Sequence, residues 1–202
     1  PIPRTLSMSL SGIRSLSVIE EPPQNRLPVQ TYVAQYNDSI IRSAILRELN
    51  RGGQVYFLYN DVKTQSRMLE NLQELVPEAR IQIANGQMPE QQLEDIFIKF
   101  KEKEYDVLIT STIIETGMDI QNANTLIVYE ADRLGLSTLY QLRGRVGRSE
   151  KLAYAYFTYK DESVLNEKAI KRLMAMKEFT DFGSGYKTVS YTHLTLPTTP
   201  YV

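Results

Sequence analysis

Three segments decide how this chain folds: V-L-I-T-S-T-I-I-E-T-G-M-D (107–119), T-L-I-V-Y-E-A (125–131) and Y-Q-L-R-G-R-V-G-R-S (140–149). The first two open on apolar runs of strand length. The first run ends in the hydroxyls Thr110, Ser111 and Thr112, with Gly117 and Asp119 in the loop beyond. The second leads to Arg143, Arg145 and Arg148, interleaved with Gly144 and Gly147. Arginine keeps its proton, and its planar fork meets phosphate oxygens in two-point contacts. Two glycines in a short helical turn cost roughly 2 kcal/mol relative to alanine. Close backbone approach to a ligand or a neighbouring domain is the usual reason to keep them.

Outward from these segments, strand and helix patterns alternate. A short helix is expected over residues 5–13, a strand over Ser15–Glu20, and a proline-rich linker over 21–28. Val29–Gln35 reads as a strand. A helix from Asp38 to Asn50 carries Ile41, Ala44, Ile45 and Leu49 and stops at Gly52-Gly53. Next come a strand at Gln54–Tyr59, a helix at Gln65–Val76 and a strand at Arg80–Ala84. Pro89 opens a further helix with Leu93, Ile96, Phe97 and Phe100 on one stripe. Strands at Asp106–Thr110, Thr125–Tyr129 and Ala153–Thr158 complete the set, and a helical stretch beyond Asp161 carries Leu165, Ala169, Leu173 and Met176. The alternation predicts an α/β fold, a mainly parallel sheet with helices on both faces. Ligands on such sheets bind at the carboxyl ends of strands. Those ends carry Asn60, Asn85-Gly86, the Thr110–Thr112 run and Glu130, so function is expected on that rim.

At 202 residues, with 42% hydrophobic and 23% charged residues, the composition is that of a globular protein. A net charge of −1 gives nucleic-acid binding no bulk electrostatic help, yet amides, hydroxyls and a few local cations can grip a backbone. There is no cysteine, which excludes disulfides and thiolate metal sites and fits a reducing cytoplasm. His193 is the only histidine, so no His-based triad or zinc site is expected, and no metal ligand is assigned. No apolar run approaches the ~20 residues of a membrane span. The stretch 189–202 is uncharged at neutral pH, rich in threonine and proline, and reads as a non-native tail.

Chemistry concentrates in Q-L-R-G-R-V-G-R-S. A helical turn would project Arg145 and Arg148 to one side, which suits a triphosphate held by another lobe. The hydroxyl run can bind phosphates without reading bases. Asn85-Gly86-Gln87 precedes a helix start that favours a phosphate. Three segments are set aside. G-S-G-Y-K-T (183–188) lacks the glycine beside the lysine and the preceding strand of a P-loop. D-E-S-V (161–164) reads as an acidic helix start, and His193 lies in the odd tail. Lys168, Lys171, Arg172 and Lys177 read as a solvated helix face, with DNA contact the lesser alternative.

These motifs resemble those of superfamily 2 helicases. Q-L-R-G-R-V-G-R-S is similar to their motif VI, S-T-I-I-E-T-G-M-D (111–119) to motif V, and F-L-Y-N-D-V (57–62) to motif IV. P-I-P-R-T-L (1–6) is similar to the residues that follow motif III. Together with R-L-G-L-S-T-L-Y (133–140) and K-R-L-M-A-M-K-E-F-T-D-F-G-S-G-Y (171–186), they resemble the bacterial transcription-repair coupling factor family over residues 1 to about 188. The resemblance implies the end of a first RecA-like lobe at 1–20, an interlobe linker at 21–28, and a second RecA-like, helicase C-terminal lobe at 29–159. The start of a helical translocation region would follow at 160–188. It implies a cytoplasmic, ATP- and magnesium-dependent enzyme that walks on double-stranded DNA, displaces stalled RNA polymerase and recruits excision-repair proteins.

Carried over residue by residue, Arg148 is the expected arginine finger, with Arg145 and Gln141 organising the triphosphate. Gly117, Asp119 and Gly144 lie near the nucleotide. Ser111 and Thr112 face the DNA backbone, with Asn60, Gly86 and Arg4 as further DNA contacts. Ser111 stands where many helicases have threonine, Asn85 where relatives often have histidine, and Gln121 where proline is frequent. The P-loop and acidic motif II of a first lobe are absent, so ATP and magnesium would be held mainly elsewhere and this chain alone is expected to be inactive. RNA polymerase and repair proteins would meet domains outside it. A fork-remodelling RecG helicase lobe shares P-I-P-R-T-L and Q-L-R-G-R-V-G-R and remains an alternative. So does a solitary lobe that binds nucleic acid without catalysis.

Overall fold

Asn37 starts the first helix by accepting the N–H groups of Ser39 (2.8 Å) and Ile40 (3.4 Å) on its side-chain oxygen. Gly52, at φ 71°, lets the chain turn out of that helix. Such local signals recur along the computed structural model, which describes residues 27–111, 120–147 and 150–178. Its elements are β1 (Gln30–Gln35), α1 (Asp38–Asn50), β2 (Gln54–Leu58), α2 (Gln65–Leu75), β3 (Ile81–Ala84), α3 (Glu90–Lys101), β4 (Val107–Thr110), β5 (Ala123–Val128), α4 (Leu136–Arg143), β6 (Tyr154–Tyr159) and α5 (Glu167–Glu178). Short 3-10 turns lie at Val62–Thr64, Ala131–Arg133 and Glu162–Val164. The helix expected over 5–13, the strand over Ser15–Glu20 and the 189–202 tail lie outside the described residues.

The strands form one sheet in the order β1-β6-β5-β2-β4-β3, and every neighbouring pair is parallel. All positions of β2, β4 and β5 are buried, as their unbroken apolar runs require of central strands covered on both faces. On one face Phe57, Ile109 and Ile127 pack against Ile41 and Ile45 of α1 and Met68 and Leu72 of α2. On the other, Leu58, Leu108, Leu126 and Phe157 pack against Phe97 and Phe100 of α3, Leu139 of α4, and Leu173 and Met176 of α5. The expected α/β class, parallel sheet and two-sided helical cover are therefore observed.

Two differences have physical causes. The chain between Gly135 and Gly144 forms α4, not anticipated as a helix; eight residues between glycines leave only Leu136, Leu139 and Leu142 to mark its buried face. On α1, Glu48 joins Ile41, Ala44 and Ile45 as fully buried positions, while Leu49 is only half-buried. A carboxylate takes that place because Arg51 and Thr125 satisfy it.

Candidate nucleotide and nucleic-acid interfaces

The carboxyl rim of the sheet holds part of the predicted DNA-facing set. Asn60 is exposed just beyond β2, and Gly86 is exposed in the turn after β3. Ser111 follows β4 but is only 7% exposed, and Thr110 is fully buried with its hydroxyl donated to the Ser111 carbonyl (3.0 Å). The expected run of presented hydroxyls is thus not a surface feature at Thr110 or Ser111. Burial of β4 on both faces draws its end inward. Thr112, Gly117, Asp119 and Arg4 lie outside the described residues.

Asn85 is buried and committed to the fold. Its Nδ2 donates to Gln65 Oε1 (2.7 Å), and Gln65 Nε2 donates to the Tyr59 carbonyl (2.9 Å). Its Oδ1 accepts the Gln87 N–H (3.1 Å). This amide relay ties the ends of β3 and β2 together through α2. Gln65 was invisible to helical periodicity, which counts apolar residues.

Three tyrosines also stand on this rim. Tyr36, Tyr59 and Tyr129 each follow directly on a strand. Tyr129 lies 5.0 Å from Tyr36 edge-on and 5.1 Å from Tyr59 in a tilted arrangement, ring centre to ring centre. Burial, with help from Asp38, pushes the Tyr36 phenol above its ordinary pKa, and burial and Glu130 do the same to Tyr129. Both therefore remain protonated donors at neutral pH. Beside them a polar cleft of about 590 Å³ is lined by Tyr59, Asn60, Arg67, Tyr129, Arg133 and Lys160, among others. A tyrosine closing one strand after another was the available signal for this cluster.

The arginine-rich segment lies elsewhere. α4 descends from the carboxyl rim, and the loop after it must reach the amino end of β6, which runs parallel to β5. A Cβ on Gly147 would lie 3.0 Å from Val29 and 3.3 Å from Ala153, the residues leading into β1 and β6. Gly144 and Arg145 therefore stand on the amino edge, opposite the rim where all function was expected. The predicted helical turn is also absent. α4 ends at Arg143, Arg145 lies in a turn whose N–H reaches Leu142 O (3.0 Å), and Gly147 has φ 77°. Helical spacing cannot fix the relative direction of Arg145 and Arg148, and Arg148 lies outside the described residues. Gln141 is exposed on α4, Gly144 is exposed, and Arg145 is half-exposed.

Arg143 has a different task. It is 6% exposed, donates from Nη1 to the Met176 carbonyl (3.1 Å) and lies 5.1 Å from the Tyr140 ring. Burial pulls its pKa down, with Tyr140 pulling the other way, and a guanidinium remains charged even so. It fastens α5 to α4. Arg172, expected on a solvated face with Lys168, Lys171 and Lys177, instead donates to the Asp132 carbonyl (2.7 Å). The three lysines are exposed. Asp161 caps the turn at its own segment by accepting the Ser163 N–H (2.9 Å).

Among the described residues, no three histidine, aspartate or glutamate side chains gather as a metal site. No helix among them is long and apolar enough to cross a membrane. A family model described as the helicase conserved C-terminal domain matches residues 37–150. The transcription-repair-coupling factor of Bacillus subtilis (strain 168) is 61% identical over 187 residues, which are 93% of this chain and 16% of that protein. The protein of that name from Staphylococcus aureus (strain NCTC 8325 / PS 47) is 58% identical over the same shares. The chain thus spans about one sixth of the length of these curated relatives. A solved structure of RecG bound to a three-way DNA junction matches with a TM-score of 0.79 and 31% identity, covering 97% of this chain and 26% of that one. The S. cerevisiae Dbp5 L327V C-terminal domain, solved bound to Gle1 H337R and IP6, matches with a TM-score of 0.54 at 19% identity, over 82% of this chain and 98% of that one, a likeness of fold alone. With this sheet order, a family match across 37–150 and relatives at this identity, the chain belongs to the helicase conserved C-terminal domain family and has the RecA-like C-terminal lobe fold of that family.

Proposed function

We propose that this chain is the second motor lobe of an ATP-driven double-stranded DNA translocase of the transcription-repair coupling type. The observation that carries the reading is 61% identity to a transcription-repair-coupling factor across 93% of the chain. The two edges of the sheet support it. Gly144, Arg145 and Gln141 cluster at and beside the amino edge, where a cation and exposed backbone suit a triphosphate presented by another lobe. Asn60 and Gly86 stand on the opposite rim, where small polar groups suit a phosphate backbone, and Ser111 and Thr112 would add their hydroxyls to that contact. ATP and magnesium would be held mainly by the first lobe, with Arg148 supplying the finger and Gly117 and Asp119 near the nucleotide. Residues 1–20 would end that first lobe, 21–28 link the two, 29–159 form this lobe, and 160–188 begin the translocation region. Displacement of stalled RNA polymerase and recruitment of repair proteins would fall to the rest of the protein.

In the intact protein, Arg148→Ala should leave ATP binding in place and lower turnover about 10³-fold. Hydrolysis within a few-fold of the unaltered protein would remove Arg148 from that role. Likeness to RecG supports a second reading, a fork-remodelling lobe. Release of a stalled RNA polymerase by the intact protein, against regression of a model fork, separates the two.

A further inference from the structure

The cleft at the carboxyl rim gathers cations that the DNA-facing set expected from the sequence does not include. Its walls come from the ends of β2, β5 and β6 and from the first turns of α2, through Tyr59, Asn60, Arg67, Tyr129, Arg133 and Lys160. Two acidic side chains also border it, and both are engaged. Asp61 accepts the Lys63 N–H (3.2 Å), and Glu130 accepts from Arg133 Nη1 (2.7 Å). Arg67 and Lys160 are exposed, and among the described residues neither joins an ion pair. The Lys160 backbone is fixed by Gln35, whose Nε2 donates to its carbonyl (3.2 Å). Glu130 has φ 50° and ψ 50°, a left-handed conformation disfavoured for a residue with a Cβ. That bend returns the Arg133 N–H to the Glu130 carbonyl (3.1 Å), and local strain of this kind gathers at functional sites.

We propose that this cleft grips the phosphate backbone of double-stranded DNA, with Arg67 and Lys160 as its charged contacts and Arg133 on the same wall. The proposal rests on the reading of the chain as a duplex translocase lobe. It places a contact across the ends of β5 and β6, on the side of β2 away from β3 and Gly86. With a net charge of −1, the chain has no bulk attraction for DNA, so local cations must supply it. Guanidinium and ammonium groups without a carboxylate partner are suited to phosphate oxygens. β2, β5 and β6 follow the order β6-β5-β2, so their ends span about 10 Å. One strand of a duplex carries a charge about every 3.4 Å along the axis, so a backbone crossing here presents two or three. The adjoining cleft beyond Tyr129 is bordered by Asp38 and Glu74, and these carboxylates end the track on that side.

The test measures binding of a labelled duplex to the intact protein by fluorescence anisotropy, between about 50 and 200 mM salt. Arg67→Ala with Lys160→Ala should weaken binding about tenfold and lower the log–log salt slope by about two, since each phosphate neutralised contributes about 0.9. The loss should be equal on two duplexes of unrelated sequence, because backbone contacts carry no sequence information. Arg67→Lys with Lys160→Arg keeps both charges and should hold the slope within about 0.5 of the unaltered value. Lys99→Ala with Lys101→Ala removes the same charge from the last turn of α3 and should leave the slope unchanged. If the unaltered protein binds duplex and the Arg67, Lys160 alanine variant keeps its slope, the cleft proposal is overturned and the translocase reading stands. An equal fall in the Lys99, Lys101 variant would reduce the effect to bulk charge, and a fall in the charge-keeping variant would make it packing; either overturns the proposal. An unaltered protein that binds no duplex refutes the translocase reading and the cleft proposal with it.

Discussion

Replacing the two glycines of the arginine motif one at a time separates backbone need from ligand approach. Gly147 sits at φ 77°, where a residue with a Cβ costs roughly 1–2 kcal/mol. Its added methyl would lie 3.0 Å from Val29 Cγ2 and 3.3 Å from Ala153 Cβ, inside the usual carbon–carbon separation. Overpacking of this kind adds about 1 kcal/mol, so Gly147→Ala should lose about 2–3 kcal/mol. Gly144 has φ −68° and ψ −7°, which any L-residue adopts. Alanine there gains up to ~1 kcal/mol of helix propensity, offset by a 3.3 Å contact with the Gln141 carbonyl. The net change should stay within about 0.5 kcal/mol. Urea denaturation measures both, with an unchanged slope as the check on cooperativity. Equal losses at the two positions, or a loss under about 0.5 kcal/mol at Gly147, would refute the backbone reasoning. Turnover in the intact protein adds the second half. A Gly144→Ala protein of normal stability and poor ATP hydrolysis would mean that the glycine is kept for something that approaches it.

Arg143→Ala should lose about 2–4 kcal/mol by removing the Arg143–Met176 bond and opening a buried site, with faster amide exchange concentrated in α5; exchange unchanged there would show that Arg143 does not hold α5. Gln65→Leu leaves Asn85 Nδ2 and the Tyr59 carbonyl without their partner and should cost about 1–3 kcal/mol in denaturation, whereas a loss below about 0.5 kcal/mol would make the relay dispensable. At Asp106, burial acts to raise the pKa, but the hydrogen bonds and charge of Arg80 outweigh it and leave the carboxyl below its ordinary value. A depressed folded pKa contributes stability above the unfolded value, near 3.9, and that contribution is lost as pH falls through the folded value. Asp106→Asn should therefore flatten the stability profile below about pH 4 by no more than ~1 kcal/mol, since the Arg80 partner is exposed; an unchanged acid limb would contradict this.

Periodicity was enough for the sheet. β2, β4 and β5 are buried at every position and announce themselves as apolar runs, and α1 occupies Asp38–Asn50 as its spacing predicts. What periodicity hides is polar burial. Glu48, Gln54, Gln65, Asn85 and Arg143 are all buried, and nothing in their local spacing distinguishes them from surface residues. Each is buried because its partner comes from a distant part of the chain, such as Thr125 for Glu48 or the Phe100 carbonyl for Gln54. The arginine motif was legible as residue types but not as a place. Its position on the amino edge follows only from β6 being parallel to β5, which obliges the chain after α4 to return to that edge before the next strand begins.

That return gives the proposed motor its geometry. Asn60 and Gly86 on the rim and Gly144 and Arg145 on the amino edge lie at opposite ends of one closely packed sheet, so neither pair touches the other directly. One described element runs between them. α4 begins beyond Glu130 at the rim and ends at Arg143 on the amino edge; eight residues at 1.5 Å each make a rod of about 12 Å, and Leu136, Leu139 and Leu142 seat it in the core. The connection after β4 leaves the rim at Ser111 and arrives at Asn122, whose Nδ2 donates to the Gly52 carbonyl (3.0 Å). Gly52 adjoins Arg51, which donates to the Leu152 carbonyl just before β6. The central strands are buried at every position and cannot slide without breaking their ladders, so α4 is the described element placed to link events at one edge to events at the other.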